Sequence, residues 1–595
     1  MTCLQLRMVS RSTAWNAFLF AMALLAGSRT APGAGPADPL LRLVPADAGA
    51  TLVVEDLKGT ARDVLQSSLF EGVCQLPVVR EWLESGRFRE VHDALGKVDQ
   101  ALGEKVHVIR DDLFGEAFIL TLHVPKGGRP DEARGLLLVR VPNRELLDRL
   151  VLRINTAQSD KGELRRVVDR TNHGVSYHVR EFPPGGREAE YYATLNDRVF
   201  VWSNSESLIH GAIDRQAGTR QGLAEEPAFR AVREGLPGRS IATLYVDPRF
   251  VGKVLEASAG TPKPEDERLL AFAGRYLKAV RYAGASVVWR QGVILQTREV
   301  FDPEKLTPGM KQWASRRETP DAVLNRFPAT ALIAARAAID PVTLIDTLSS
   351  LVAAGDRPKL AILMEALKGV MLAQSVREDV APHLGPGMVA SIERPDPNEP
   401  EAKLPIVFAL EIARSPAGAK AGAAVANGLR TILAVHALDP KNGATNARII
   451  TRSAPGSEVV ALSDKTPYAF ALADGRMVVG NSLGAVTRAL VAHSNPTSIS
   501  NFAKFRDELF PNATNHIAAD LKAIHEFASR ARPVLARRLS QRQGIPLSDA
   551  GLDLDRALAL VELFDVAFVA STIEPGFLAV NRTMGLVRLA TASRP

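Results

Sequence analysis

The pattern of apolar and polar positions along the chain is organised around one stretch that occurs twice. Residues 197–205 and residues 474–482 each place a polar turn before four apolar residues, and an Asn-Ser pair follows. A short run of consecutive apolar residues predicts a strand that is buried on both faces. The Asn-Ser pair stands where a helix needs a side-chain acceptor for its free N–H groups. The sequence therefore predicts the same strand, cap and helix at both places.

The helix that follows each stretch repeats its apolar positions at a constant displacement. The second set lies 277 residues after the first, and the two sets are Leu208, Ile209, Ala212 and Ile213, and then Ala485, Val486, Ala489 and Leu490. Other landmarks recur at similar distances: Asp247 and Asp520 each end a strand and precede a helix, Phe505 matches Phe229, and Gly576 matches Gly292. A period near 280 residues is much longer than the ~20 to 50 residues of solenoid repeats. It indicates two tandem domains.

Within each module the predicted strands come in hairpins and meanders, with helices inserted between the groups. The first hairpin pairs residues 117–123 with 135–140, and its counterpart pairs residues 388–392 with 405–411. Such an order favours an α+β fold over a doubly wound parallel sheet. We predict two homologous modules, each a mostly antiparallel sheet with helices packed on it. One long amphipathic helical segment is predicted from about Val78 to Leu102. A strand is predicted at Ala50–Glu55 and a further helix from Arg144 to Ile154.

The domain boundaries follow from composition. Residues 1–37 are predicted to be a signal peptide with an uncertain cleavage site, and the first α+β module then covers residues 38–302. A linker of residues 303–322 contains Pro303, Pro308, Gly309 and Pro320, which interrupt secondary structure. The second α+β module covers residues 323–595.

The N-terminus has the layout of a secretory signal. Arg7 and Arg11 precede an apolar run from Ala14 to Gly27, and a stretch rich in small residues and proline follows. The run is shorter than the ~20 residues that span a bilayer, which favours a cleaved signal over a retained N-terminal anchor. Ser28 stands where a lipoprotein would carry its lipidated Cys, so lipid attachment is not predicted. We expect an exported protein of the periplasm or cell envelope, without a stable transmembrane span in the mature chain.

Composition and cysteine content narrow the class further. With 46% hydrophobic and 23% charged residues, the chain is typical of ordinary globular proteins. Cys3 would leave with the signal, so Cys74 would remain alone and no internal disulfide is predicted. Because the residues around Cys74 are apolar and helical, we expect an inert core thiol.

The net charge is a mild positive excess. The formal charge of +7 falls to +4 when the three arginines of the signal are removed. The densest basic run, with no aromatic residues interleaved, is Arg530, Arg532, Arg537, Arg538 and Arg542. It is interpreted first as a solvated helix face and second as a contact for an anionic surface. Nucleic-acid binding is not predicted.

Several sequence landmarks resemble a known family. They are Leu-Val-Pro-Ala-Asp at residues 43–47, the strand, Asn-Ser and helix at 197–213, and Pro-Ala-Phe-Arg at 227–230. Their order and spacing resemble an uncharacterised bacterial exported-protein domain family of unknown function, present here as two tandem copies. The resemblance implies the fold and export. It implies no ligand and no functional residues, because the family has no established activity.

The sharpest catalytic candidate is Ser482. It is the centre of Gly480-Asn-Ser-Leu-Gly484, a Gly-x-Ser-x-Gly sequence between a predicted strand and a helix, as in the nucleophile elbow of α/β-hydrolases. That fold needs β-α units before the elbow and an acid and a histidine on later loops. Here several strands precede the elbow without helices between them, and the first copy carries Ser203-Asn-Ser-Glu-Ser207 at the same place. A helix cap explains both copies and is preferred.

Metal and cofactor sites are not predicted. His173 and His178 lie five residues apart, which places them on opposite faces of a strand. No phosphate-binding Gly-rich loop, dinucleotide fingerprint, calcium loop or His-Glu-x-x-His sequence occurs. Asp247 and Asp520 are predicted to cap helices.

Taken together, the sequence favours a non-enzymatic exported or cell-envelope protein with a binding or scaffolding role. Its partner would be an unknown envelope protein or an anionic surface. The alternative hypothesis is a serine hydrolase that uses Ser482.

Overall fold

A computed structural model describes the chain in two compact units. The described residues are 35–124, 132–238, 240–258, 274, 276–289, 292–306, 311, 331–338, 340–352, 354–395, 404–438, 448–454, 457–462, 468–473, 475–494, 513–574 and 579–590. Unit 1 comprises residues 1–305 with 576–582 and 592–595, and unit 2 comprises residues 306–575 with 583–591. Each is a mixture of helices and antiparallel strands.

The described strands of unit 1 pair with one another in the antiparallel sense. Their order across the sheet is β4-β5-β6-β7-β3-β2-β1-β8-β9-β10. The strands are β1 Ala50–Glu55, β2 Ala117–His123, β3 Arg134–Arg140, β4 Arg166–Asn172, β5 Val175–Glu181, β6 Glu190–Leu195, β7 Val199–Ser203, β8 Ala242–Val246, β9 Val280–Trp289 and β10 Gly292–Phe301.

Helices cover both faces of the unit 1 sheet. They are α1 Asp38–Leu41, α2 Leu57–Leu65, α3 Ser68–Gln75, α4 Pro77–Glu84, α5 Gly86–Leu102, α6 Val106–Asp112, α7 Arg144–Asp160, α8 Glu206–Gln216, α9 Pro227–Glu234 and α10 Pro248–Ser258. Neighbouring residues of β1 show how the faces divide, because side chains alternate along a strand. Val53 packs into a core with α1, α8 and α9, whereas Val54 packs into a second core with α2 and α7.

The strands of unit 2 are paired in the same way. Their order is β14-β15-β16-β17-β13-β12-β11-β18-β19-β20, and the neighbouring strands from β14 to β19 pair antiparallel. The strands are β11 Ala331–Ala338, β12 Leu384–Glu393, β13 Ile406–Ile412, β14 Ile449–Ala454, β15 Ser457–Leu462, β16 Ala469–Ala473, β17 Arg476–Gly480, β18 Asn515–Asp520, β19 Phe564–Glu574 and β20 Ala579–Leu589, of which residues 583–589 belong to unit 2.

The helices of unit 2 also lie on both faces of its strands. They are α11 Pro341–Leu351, α12 Arg357–Val370, α13 Pro416–Leu438, α14 Leu483–Ser494, α15 Leu521–Arg530, α16 Arg532–Gln543 and α17 Leu547–Glu562. Val478 of β17 packs into a core with α14, and its neighbour Met477 packs into another core with α13. The strand before each Asn-Ser pair is therefore covered on both faces, as the run of apolar residues predicts.

The mixed fold and the antiparallel pairing were predicted correctly, but two helix predictions need correction. The segment from Val78 to Leu102 is two helices, because Ser85 adopts an extended backbone and its hydroxyl accepts the Phe88 N–H of α5 at 3.2 Å. The predicted helix at residues 144–154 continues to Asp160.

Several predictions fall outside the described residues. They concern most of the signal peptide (residues 1–34), most of the linker (307–310 and 312–322), the tips of the two hairpins (125–130 and 396–400), Phe505 and Gly576.

Candidate functional site

The junction between β17 and α14 positions Ser482. The Ser482 hydroxyl accepts the Ala485 N–H at 3.1 Å, which is the hydrogen bond of a helix cap. Gly480 is explained by packing, since a Cβ there would lie 2.8 Å from Val486 Cγ2 and 3.1 Å from the Ile406 carbonyl oxygen. A side chain would have to displace the helix or the neighbouring strand. The glycine thus brings α14 close to the sheet.

The backbone at Ser482 lacks the strain of a nucleophile elbow. Ser482 is not among the described residues that have a positive φ. Its strand β17 pairs antiparallel with both β13 and β16, whereas the elbow of α/β-hydrolases lies on a strand-turn-helix unit of a parallel sheet. Asp520 caps α15 by accepting the Ala523 N–H at 2.8 Å, as predicted, and so has a structural role of its own. This geometry favours the helix cap over the serine hydrolase.

The first copy of the junction differs from its prediction. Ser205 precedes α8, yet within the described chain its side chain makes no capping hydrogen bond and instead lies 2.9 Å from the Ser207 hydroxyl. The predicted Ser205 cap is therefore wrong. The Ser203 hydroxyl accepts the Ser205 N–H at 3.0 Å, a bond that lies before the first turn of α8.

The Asn of each pair binds the sheet. Asn204 Oδ1 accepts the Gly135 N–H at 2.8 Å, and Asn481 Oδ1 accepts the Ile406 N–H at 2.8 Å. Both partners lie at the start of the strand next to the junction, in β3 and in β13. The two Asn side chains thus satisfy an equivalent backbone donor in each unit.

Unit 1 adds a polar cluster beside its junction, between α8 and the β4–β5 hairpin. The Glu206 carboxylate accepts the Tyr177 hydroxyl at 2.7 Å and the Arg170 guanidinium at 2.7 Å, both at Oε1. Tyr177 is buried, with 3% of its surface exposed. These two hydrogen bonds to a carboxylate are charge-assisted, and they hold the hairpin against the first turn of α8.

The pKa values in this cluster follow from burial and these bonds. Burial raises the pKa of Tyr177, and the hydrogen bond to Glu206 raises it further. Partial burial also pushes the pKa of Glu206 upward, but the bonds from Tyr177 and Arg170 outweigh it and leave the pKa below its usual value. The cluster therefore holds a fixed carboxylate anion and a neutral phenol at neutral pH.

The next two turns of α8 continue the polar face. His210 lies edge-to-face against the Tyr177 ring, with centroids 5.2 Å apart, and Asp214 Oδ1 lies 3.5 Å from His173 Nε2. His173 adopts φ 47° in the hairpin turn. Glu206, His210 and Asp214 follow one another at four-residue spacing, which places them on one face of the helix. That spacing is the signal that sequence reasoning missed.

The other predicted residues occupy separate places. His178 Nδ1 lies 2.6 Å from Asp169 Oδ1, so it has a partner different from that of His173. Asp247 caps α10 by accepting the Arg249 N–H at 2.8 Å, as predicted. Cys74 lies in α3 and is only partly buried, so its prediction as a core thiol is wrong.

The basic run of unit 2 is partly neutralised. Arg532 makes two bonds of 2.6 Å to the Asp555 carboxylate, and this contact lowers the pKa of Asp555. Arg530 lies 3.9 Å from Glu526, one helical turn away. These contacts agree with a solvated helix face.

A second kind of candidate site is an apolar surface on the outer helices of unit 1. Within the described chain α4 and α5 contain no buried residue. Val91, Leu95 and Val98 lie on one face of α5 and are 41% to 48% exposed. The exposed apolar side chains of α4, α5 and α7 are called the first apolar surface. They are Trp82, Val91, Leu95, Val98 and Leu152.

Unit 2 exposes apolar residues on the corresponding helices. The second apolar surface consists of residues that are 54% to 70% exposed on α12 and α13 and just after α12, namely Ile362, Leu363, Leu372, Ile432 and Val435. α12 lies between the first two strands of its unit and α13 follows the third, as α5 and α7 do in unit 1. Apolar exposure thus recurs at the same place in the chain order.

An equivalent contact holds each helix pair together. The Arg153 guanidinium of α7 donates to the Ala101 and Gln100 carbonyl oxygens at 2.8 and 2.9 Å, at the end of α5. The Asn427 amide of α13 donates to the Val370 carbonyl oxygen at 2.8 Å, at the end of α12. Carbonyls in the last turn of a helix need such partners.

Features of membrane or metal binding are few in the described chain. One helix, α13, is long and apolar enough to cross a membrane by length and composition. Part of this helix is buried, since Ala421 and Ala424 pack against Val380. The described residues contain no group of three or more His, Cys, Asp or Glu side chains arranged to hold a metal ion.

Comparison with known proteins adds no name to this geometry. No family model, curated protein or solved structure matches the chain.

Proposed function

We propose that the chain is an exported cell-envelope protein that binds another macromolecule through the apolar surfaces of two homologous units. The single observation that carries this proposal is the recurrence of exposed apolar helix faces at the same topological place in both units. Scattered apolar side chains are normal on protein surfaces. An apolar stripe on one helix face, as on α5, is typical of an interaction site, and unit 2 exposes apolar residues on α12 and α13.

Homology of the two units is part of the proposal. Ten strands pair in the same order in each unit, and the Asn204 and Asn481 contacts are equivalent. A strand order shared over ten strands favours duplication over convergence. The constant displacement of 277 residues between the apolar positions of α8 and α14 supports the same conclusion. Membership in the exported bacterial family that the sequence resembles is proposed on the same grounds.

Export rests on the N-terminal sequence. The basic residues, the apolar run of residues 14–27 and the small residues after it support a cleaved signal, with a retained anchor as the alternative. Expression of the full chain in a Gram-negative host, followed by N-terminal sequencing of the periplasmic fraction, tests this step. Protein found only in the cytoplasm with an intact N-terminus would contradict export.

A photo-crosslinking residue tests the binding role directly. We expect a photoreactive amino acid at Val91 or at Ile362 to yield adducts with a macromolecule in intact cells. The matched control is Gln100, an exposed polar residue of α5 away from the apolar stripe, which should yield few or none. Equal yields at positions 91, 362 and 100 would remove the support for a specific surface.

The serine hydrolase alternative has its own test. A fluorophosphonate probe should leave the purified chain unlabelled if Ser482 only caps α14. Labelling that disappears in the Ser482→Ala variant would establish the hydrolase and overturn the proposed binding role as the primary function. The Ser205→Ala variant serves as the control for nonspecific loss.

A further inference from the structure

Residues 35–45 overlap the end of the predicted signal of residues 1–37, yet they are built into the core of unit 1. Five of their side chains are at most 2% exposed and lie in one hydrophobic cluster with residues of α8 and α9, namely Ala37, Leu40, Leu41, Leu43 and Val44. The backbone of the segment is also held, since the Leu223 N–H donates to the Val44 carbonyl oxygen at 2.9 Å. Burial of this apolar surface stabilises the folded unit. Residues 37–44 therefore belong to the fold of unit 1.

The first residues of this segment have polar partners as well. The Ala37 N–H donates to Glu55 Oε1, at the end of β1, at 2.9 Å. The Ala37 carbonyl oxygen accepts the Leu41 N–H at 2.9 Å, at the start of α1. Burial raises the pKa of the Glu55 carboxyl, and the bond from Ala37 opposes this shift. Gly35 lies against the same carboxylate, since a Cβ there would be 2.5 Å from Glu55 Oε1.

These contacts distinguish two places at which the signal could be cut. Small residues stand three and one positions before such a cut. Ala26 and Ser28 satisfy this rule at the end of the apolar run, and Gly35 and Ala37 satisfy it further along. A cut after Ala37 would remove the donor to the buried Glu55 carboxylate and the carbonyl group at the start of α1, and each lost partner is costly. A cut after Ser28 keeps every one of these contacts.

Resting on the proposed export, we propose that a signal peptidase cuts after Ser28 and that the mature chain begins at Arg29. Water adds across the Ser28–Arg29 peptide bond, which leaves a carboxylate on Ser28 and an amino group on Arg29. The cut lies directly after the apolar run of residues 14–27, as is typical of secretory signals. Every residue from Gly35 onward stays with unit 1, so the signal is shorter than its composition predicts.

The first residue of the exported protein tests this inference. The full chain is expressed in a Gram-negative host, and the periplasmic form is purified. We expect N-terminal sequencing and intact mass to give Arg29 as the first residue. A first residue at Asp38, or at another position after Arg29, would overturn the inference while export stands. An intact N-terminus in the membrane fraction would overturn it in favour of a retained anchor, and an intact N-terminus found only in the cytoplasm would refute export itself.

A pair of variants at the cut tests which residue the peptidase reads. Ser28→Leu places a large side chain where a small one is required, so we expect the amount of cleaved protein to fall about tenfold or more and the precursor to accumulate. Ser28→Ala keeps a small side chain and is the matched control, which should be processed like the wild type. Cleavage of Ser28→Leu at the wild-type rate would overturn the assignment to Ser28.

Hydrogen exchange of the purified mature protein tests the reason for excluding the later cut. We expect peptides that cover residues 35–44 to be protected, as the buried side chains and the backbone bonds require. Glu55→Leu removes the acceptor of the Ala37 N–H and should speed exchange at residue 37 about fivefold or more, whereas Glu55→Gln keeps an acceptor and should change it less. Exchange of residues 35–44 at the rate of an unfolded peptide would overturn the inference, because a cut after Ala37 would then remove no contact.

Discussion

The junctions of the two units solve the same packing problem with different chemistry. In unit 1 the hairpin is fastened to α8 by the bonds of Tyr177 and Arg170 to Glu206. Counted from the hairpin turns and the 277-residue displacement, the counterparts of Tyr177 and Glu206 in unit 2 are Val459 and Leu483. Both belong to one hydrophobic cluster with α14.

In both units a β-hairpin packs against the helix that follows the Asn-Ser pair, through polar contacts in unit 1 and apolar contacts in unit 2. Replacing a buried polar pair by well-packed apolar residues is often neutral, whereas removing one partner is costly. Unit 1 therefore stabilises this contact by paired polar groups, and unit 2 stabilises it by apolar packing.

Replacing only one member of the polar pair should break unit 1. In Glu206→Leu, the residue of unit 2 is introduced while the buried Tyr177 hydroxyl loses its acceptor. We expect a loss of about 1–3 kcal/mol in the local free energy of opening, the cost of an unsatisfied buried hydroxyl. Hydrogen exchange of the β4 and β5 peptides, measured by mass spectrometry, resolves the effect within unit 1.

The double variant Glu206→Leu with Tyr177→Phe should recover more than half of that loss, since it removes both polar partners. The peptides of β14 and β15 in unit 2 serve as the internal control. No recovery in the double variant would mean that the hydrogen bond is not the source of the destabilisation.

The two serines of the junctions should differ although their sequence positions match. Ser482→Ala should cost about 1 kcal/mol, because its hydroxyl caps α14. Ser205→Ala should change the stability of α8 by less than about 0.5 kcal/mol, as expected for a surface substitution that removes no cap. Hydrogen exchange of the first turns of α8 and α14 measures both. Equal costs would indicate that Ser205 caps its helix in solution.

The smallest expected effect is a dependence on acid that only unit 1 should show. The pKa of Glu206 lies below its ordinary value, so its contribution is complete above the unfolded pKa of about 4.3 and is lost as the pH falls through the folded pKa. Because Arg170 and Glu206 are 46% and 32% exposed, solvent screening keeps the effect below about 1 kcal/mol.

Glu206→Gln should flatten this pH dependence between about pH 5 and pH 3. The measurement is the protection of the β4–β5 peptides at each pH, corrected for the intrinsic exchange rate. An unchanged profile in Glu206→Gln would show that another carboxylate is responsible. Leu483 in unit 2 gives no such contribution at the matching position.

The sequence predicted elements well where one local rule decides the outcome. Alternation and apolar runs located β1 at Ala50–Glu55 and the first hairpin at β2 and β3, because side chains on opposite faces of a covered strand meet different environments. Asp520 and Ser482 were recognised as caps because a short polar side chain before a helix has few other roles. The break at Ser85 was missed, since the apolar periodicity continues across it.

What the sequence determined alone is the order of strands and helices, the antiparallel class and the recurrence of one strand-to-helix junction. Tertiary structure decided which residues meet across that order. Tyr177 and Glu206 are 29 residues apart, and their contact depends on how β5 pairs with β6 and β6 with β7 before α8 folds back. The same holds for Ser205, whose side chain lies against the Ser207 hydroxyl and makes no capping bond in the described chain. Local patterns carry no information about such distances, because strand pairing is a property of the whole sheet.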